Sequence, residues 1–201
     1  MIPLPYSESC ERNRAPILEI LRQILPGSGK ILEIGSGTGQ HIVYFAPQFP
    51  RLSWQASDRD EYLQGLTSRV EQEGSVNTLP PIRLDVFEKW PDEVFDAVYS
   101  ANTAHIMSWD AVRAFFAGVG AHLASGGTFC LYGPFNQDGR FTSDSNRNFD
   151  AHLRSQDPQM GLRDVEALEL QAEQNGMILR EQFPMPANNQ ILLFKKKGRQ
   201  E

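Results

Sequence analysis

Ile31-Leu32-Glu33-Ile34-Gly35-Ser36-Gly37-Thr38-Gly39-Gln40-His41 is the stretch around which the other elements fall into place. Ile31 to Ile34 is a short apolar run with one carboxylate in it, long enough for a buried strand. Gly35, Gly37 and Gly39 follow at alternate positions. Ile42, Val43, Phe45 and Ala46 then recur at helical spacing. The reading is strand, glycine turn, helix. Glycine lacks Cβ, so it accepts positive φ and lets a ligand approach the backbone. The helix starts with unpaired N–H groups and the positive end of its dipole facing the turn. Such a place suits a nucleotide-like ligand with an anionic group.

A dinucleotide fingerprint, G-x-G-x-x-G/A, needs a small third residue to close helix against strand. This chain has Gly35, Gly37 and Gly39, with Gln40 at the small position, and an acid, Glu33, two residues before the first glycine.

Working outward, strands alternate with helices. A helix is expected over 14–25, with Pro16 in its first turn and Ile17, Leu18, Leu21, Ile24 and Leu25 as its apolar face. Strands are expected over 52–57, 81–84, 95–100 and 128–132, with helices over 60–72 and 109–123 between them. Such alternation implies a parallel sheet covered on both faces. Residues 133–163 break the pattern. They are polar, rich in Asn, Asp, Ser and Gly, and long for a structureless connection, which marks a functional loop. One helix is expected inside it, over 146–155. A helix over 164–175 and strands over 177–182 and 190–196 finish the chain. The short turn-rich link between those two strands makes them antiparallel.

The chain of 201 residues is sized for one domain, 1–201, with an irregular head over 1–13 and the insertion over 133–163. No apolar run nears 18 residues, so no membrane span is expected. The start, Met1-Ile2-Pro3-Leu4-Pro5-Tyr6, lacks the basic and apolar regions of a signal peptide. Cys10 and Cys130 have no metal-ligand spacing and read as free thiols in a reducing compartment, hence a cytoplasmic protein. The net charge is −6, and the basic run Lys195-Lys196-Lys197 reads as a solvated strand end. A grip on nucleic acid needs a broad basic face, so none is expected.

Several stretches together carry a family likeness: Glu11-Arg12-Asn13-Arg14-Ala15-Pro16-Ile17, the glycine loop, Asn102-Thr103-Ala104-His105-Ile106, Tyr132-Gly133-Pro134-Phe135-Asn136 and Gly161-Leu162-Arg163-Asp164. The E-x-G-x-G-x-G loop resembles motif I of the S-adenosylmethionine (SAM) dependent methyltransferases with a Rossmann-like fold. More narrowly, the set resembles the methyltransferase-like protein 26 family. The resemblance implies an α/β, doubly wound, mostly parallel seven-stranded sheet with a C-terminal antiparallel hairpin. It implies SAM as cofactor and names no acceptor.

On that resemblance, Gly35, Ser36, Gly37 and Gly39 lie against the amino-acid end of SAM. Glu33 orders the loop or accepts from the ligand's ammonium. Asp58, nineteen positions after Gly39 at the end of the second strand, is the ribose ligand or the N-cap of the next helix. Asp85 meets the adenine amino group or forms a turn, and Val86 flanks the ring. Arg12 pairs with the ligand's carboxylate or is a solvated charge. Asn102 helps to hold SAM. His105 is the general base or a packing residue, with an ordinary pKa near 6.5. His41, His122 and His152 read as structural. Phe135, Phe141 and Phe149 line a substrate pocket or anchor the insertion. The resulting expectation is methyl transfer to a small molecule. The alternatives are a SAM-binding module without transfer, and a nicotinamide-dependent oxidoreductase, against which Gln40 and the terminal hairpin argue.

Overall fold

A computed structural model describes residues 4–198; the start of the head, 1–3, lies outside them. The elements in order are α1 (Glu8–Ile24), β1 (Gly29–Ile34), α2 (Gln40–Phe45), β2 (Leu52–Asp58), α3 (Asp60–Glu73), β3 (Thr78–Arg83), β4 (Phe95–Ala101), α4 (Trp109–His122), β5 (Leu123–Gly133), β6 (Phe135–Asn136), α5 (Asp144–Gln156), β7 (Arg163–Asp164), α6 (Val165–Gln174), β8 (Met177–Met185) and β9 (Asn189–Lys196). Seven strands form one sheet in the order β3-β2-β1-β4-β5-β9-β8. It is mostly parallel with an antiparallel hairpin at the C-terminus, as expected. Among the described residues no helix is long and apolar enough to cross a membrane.

By contact the chain divides into two compact halves, 1–100 and 101–201, and each is described by itself. In the first, β1 pairs in parallel with β2 and β4, and β2 with β3. Parallel pairing brings the C-terminal ends of these strands to one edge. Ile31, Leu32 and Ile34 are all buried, as both-face coverage demands. Beside them Phe45, Trp54 and Tyr99, all fully buried, pack ring to ring at 5.7–6.5 Å. In the second half, β9 lies antiparallel between β5 and β8. Phe115, Phe116, Phe129 and Phe194 form its aromatic core, with neighbouring centroids 5.5–5.8 Å apart.

Two expectations need correction. The head is not irregular to residue 13: α1 begins at Glu8, capped by Ser7, whose Oγ accepts from the Cys10 N–H. Pro16 therefore sits inside the helix rather than in its first turn. The carbonyl it leaves without an intrahelical partner belongs to Arg12, an exposed residue. The insertion holds a strand ladder besides its one helix. Beside α5, capped by Ser143 Oγ at 3.1 Å from Asn146 N, β6 and β7 form a two-rung parallel ladder, Phe135 to Arg163 and Asn136 to Asp164.

Candidate functional site

The glycine loop lies at the C-terminal edge of β1. Gly35, Gly37 and Gly39 have φ of 70°, 55° and 74°, the left-handed region that glycine enters freely. The N–H groups of Gly35 and Ser36 both donate to the Ser57 carbonyl at 3.0 Å, which curls the loop over the end of β2. The Gly37 N–H donates to Asp58 Oδ2 at 2.6 Å, and the Arg59 N–H to Oδ1 at 2.8 Å. Asp58 is 8% exposed. Burial pushes its carboxyl above the ordinary range, and the two backbone bonds oppose that. A Cβ built on Gly37 meets nothing within 4 Å, so the loop faces open space there. At Gly39 a Cβ would lie 2.9 Å from Leu66 Cδ1, so that glycine lets α3 pack against the loop.

Glu33 lies behind the loop. It is 2% exposed, and its Oε2 accepts from Trp54 Nε1 at 3.0 Å. Burial raises its carboxyl to about 8, so it is protonated at neutrality. Of its two expected roles, ordering the loop is the one its contacts make. Ser36 is buried beside it. Gln40 ties the loop to the N-terminal segment: its Oε1 accepts from the Ser7 N–H at 2.6 Å and Thr38 Oγ1 at 3.0 Å, and its Nε2 donates to Glu11 at 3.4 Å. Arg69 adds a clamp, donating to the carbonyls of Thr38 (2.6 Å) and Pro5 (2.7 Å). His41 is buried between Asn13 Oδ1 (2.7 Å) and Tyr99 Oη (3.1 Å), a structural histidine held neutral by burial, with a pKa lowered to about 4.

Arg12 is not directed at the loop. It is exposed and pairs with Glu8 one turn earlier at 3.4 Å; Ser7 at the cap, and Cys10, Glu11 and Asn13 in α1, reach the loop segment. Asp85 follows β3, with its Oδ1 accepting from the Phe87 N–H at 3.0 Å, the turn-forming role. Val86 beside it is half-buried. The Leu84 N–H donates to the Asp58 carbonyl at 2.9 Å, so Gly37, Asp58 and the segment leading to Asp85 are held together.

In the second half, Asn102 has φ of 59°, costly for any residue with a Cβ but least so for Asn, and its N–H donates to the Tyr132 carbonyl at 2.9 Å. His105, 6% exposed, lies in the following loop. Phe149 meets its ring edge-on at 5.3 Å. The imidazole has no hydrogen-bond partner among the described residues. Burial first, and the Arg163 charge second, lower its pKa to about 4, which corrects the expectation of a value near 6.5.

The loop carrying His105 is clamped by residues whose role was not visible in the sequence. Arg163 donates to the carbonyls of Ala104 (3.1 Å), Met107 and Gln159 (2.8 Å). The Gly161 N–H donates to the His105 carbonyl at 2.9 Å. Gly161 has φ of 142°, and a Cβ there would lie 2.7 Å from Asp150 Oδ1. Asp150 in turn accepts from the Leu162 N–H and Arg154 Nε, both at 2.8 Å. Phe135 is buried, whereas Phe141 and Phe149 are half-exposed. His122 bonds the Gly118 carbonyl and His152 lies exposed on α5. Lys196 bonds the carbonyls of Gly120 and Asn175, so the basic tail is partly engaged in its own fold.

Solved structures share this fold. An O-methyltransferase family protein from Burkholderia thailandensis superposes with a TM-score of 0.80 at 11% identity, over 92% of this chain and 57% of that one. An O-methyltransferase family 2 protein from Planctomyces limnophilus, in complex with apigenin, gives 0.80 at 16% identity, over 94% and 57%. CalO1, a methyltransferase of calicheamicin biosynthesis in its SAH-bound form, gives 0.73 at 15% identity, over 91% and 54%. This chain thus spans little more than half the length of each. The family match runs over residues 4–196, and the chain belongs to the family described as "Protein of unknown function (DUF938)".

Proposed function

We propose that this protein is a SAM-dependent methyltransferase acting on a small-molecule acceptor, similar to the methyltransferase-like protein 26 family. The observation that carries the reading is the union of Asp58 with Gly37 beside the open face of the loop. A carboxylate oxygen that takes one backbone N–H keeps a free lone pair, which suits a ribose hydroxyl. The space over Gly37 suits the amino-acid end of SAM. The fold neighbours, whose titles name O-methyltransferases and one SAH-bound form, support the same reading.

In this proposal Gly35, Ser36, Gly37 and Asp58 bind the cofactor, Asp85 and Val86 border its adenine, and Asn102 contributes from its left-handed backbone position. Glu33 acts from behind, through Trp54 and the loop. When bound, SAM would supply a methyl group on a positive sulfur to a lone pair of the acceptor. His105 accepts the acceptor's proton. Its neutral, unpartnered imidazole is available for that at any pH near neutrality. The remaining work of the chain is positioning and exclusion of water.

A thermal-shift panel of SAM, its demethylated product, NAD and NADP tests the cofactor. SAM at about one hundred times its Kd should add about 2.7 kcal/mol of stability. A shift with NAD alone would overturn the proposal. Labelled SAM with a metabolite extract then tests transfer; binding without turnover in every extract would identify a SAM-binding module instead.

A further inference from the structure

Among the described residues one buried side-chain polar atom has no hydrogen-bond partner: Oδ1 of Asn136. The residue is 9% exposed. Buried amide oxygens without a donor are rare in folded proteins, because the lost hydration is not repaid. Polar side chains of the same insertion and of its ladder partner bond elsewhere. Thr142 donates to the Phe135 carbonyl, Asn146 to Thr142 and the Asn188 carbonyl, and Asp164 Oδ1 accepts from the Gly139 N–H.

Asn136 shares its scaffold with His105. Its rung of the β6–β7 ladder is adjacent to that of Phe135 and Arg163, and the Arg163 side chain holds the carbonyls on either side of His105. The Phe135 ring and His105 Nδ1 both approach the bare Cα of Gly133, at 3.5 and 3.7 Å from where a Cβ would stand. The ladder that carries Asn136 thus also holds the loop of His105 in place.

We infer that Asn136 determines acceptor specificity: its Oδ1 receives a hydrogen bond from a hydroxyl or amino group of an uncharged acceptor with an apolar body. A carboxylate or phosphate would oppose acceptor to acceptor at Oδ1. The half-exposed ring of Phe149, edge-on to His105, suits an apolar body. The term acceptor rests on the methyltransferase proposal; the binding role of Asn136 does not.

The test uses the ¹⁵N-labelled full chain and three probes: phenol, anisole and benzoate. The Asn136 side-chain amide signal is identified by its loss in Asn136→Leu. Phenol should shift that signal and bind about tenfold more tightly than anisole, the value of one hydrogen bond. Benzoate should bind no better than anisole. Asn136→Leu should abolish the preference for phenol and, without ligand, melt no lower than the parent, since no hydrogen bond is lost. Asn136→Ala serves for the binding arm if Asn136→Leu fails to fold. Equal binding of phenol and anisole, tighter binding of benzoate, an intact preference in the variant, or no binding of any probe would overturn the inference. Failure here with SAM still stabilising the fold leaves the methyltransferase proposal standing. A phenol preference without any response to SAM sinks that proposal and leaves the binding role of Asn136.

Discussion

The Gly37 N–H donates to Asp58 Oδ2 at 2.6 Å, so the acid ending β2 and the middle glycine of the loop act as one unit. Asp58 does not cap α3: the cap position is Arg59, and no side chain makes a capping bond there. Asp58→Ala should therefore weaken SAM binding by about 1.5–3 kcal/mol, the worth of a charged acceptor. Asp58→Asn keeps an acceptor for Gly37 and should hold the melting temperature closer to the parent. Calorimetry with both variants decides, and unchanged SAM affinity in Asp58→Ala would remove the ribose assignment.

His105 should give a flat methyl-transfer rate between pH 5.5 and 8.5. With its pKa lowered to about 4, the imidazole is already unprotonated throughout that range. His105→Ala should cut the rate by about 10²–10⁴ while SAM affinity stays within a few-fold. Single-turnover rates across the range check both. A rise centred near 6.5 that survives the substitution would assign the base to another group.

Stability should peak near pH 6.5. His41 and His105, lowered to about 4 by burial, are neutral in the fold and take up protons on unfolding below 6.5. Their contribution is intact above 6.5 and lost as the pH falls toward 4. Glu33, raised to about 8, is protonated in the fold and ionises on unfolding above 4.5. Its contribution is intact below 4.5 and lost as the pH rises toward 8. Above 6.5 Glu33 prevails, with a decline of about 1.4 kcal/mol per pH unit. Asp58, also raised, acts in the same direction. Urea titrations at several pH values should show this slope, and Glu33→Gln should reduce it. An equally steep alkaline limb in the variant would contradict the assignment to Glu33.

Gly161→Ala should cost more than Gly126→Ala. At Gly161 a Cβ meets Arg154 and Asp150 at an unfavourable φ; at Gly126, φ 75°, it meets nothing within 4 Å. The exposed position should lose about 1–2 kcal/mol from backbone alone. Gly161 should lose that and the Asp150–Arg154 geometry besides. Denaturant midpoints compare them, and equal losses would show that the crowding at Gly161 relaxes freely.

Much of the architecture was legible because its signals are local. The apolar run 31–34, the three glycines and the stripe from Ile42 lie within one short stretch, and the turn-rich link before β9 foretold the hairpin. The start of α1 was misread because Pro16 resembles a first-turn residue, whereas the capping bond of Ser7 shows only in the fold. The roles of Arg163 and Asn136 were not legible for a stronger reason. Arg163 acts on carbonyls 56 and 59 positions away. Asn136 is defined by what does not contact it. Neither distance nor absence leaves a local pattern.

Gln40 has a consequence for handling the protein. Through Ser7 and Glu11 it joins the glycine loop to the beginning of the chain, and Arg69 joins the loop to Pro5. Free-energy coupling between two places is reciprocal. Whatever a ligand gains by ordering the loop is felt at residues 5–11, and whatever frays those residues is charged against the ligand. A tag fused at the amino end, or a trimmed one, should therefore change measured affinities without touching a single contact residue. Ligand occupancy of the loop should in turn slow hydrogen exchange at the first turn of α1, far along the chain from the three glycines.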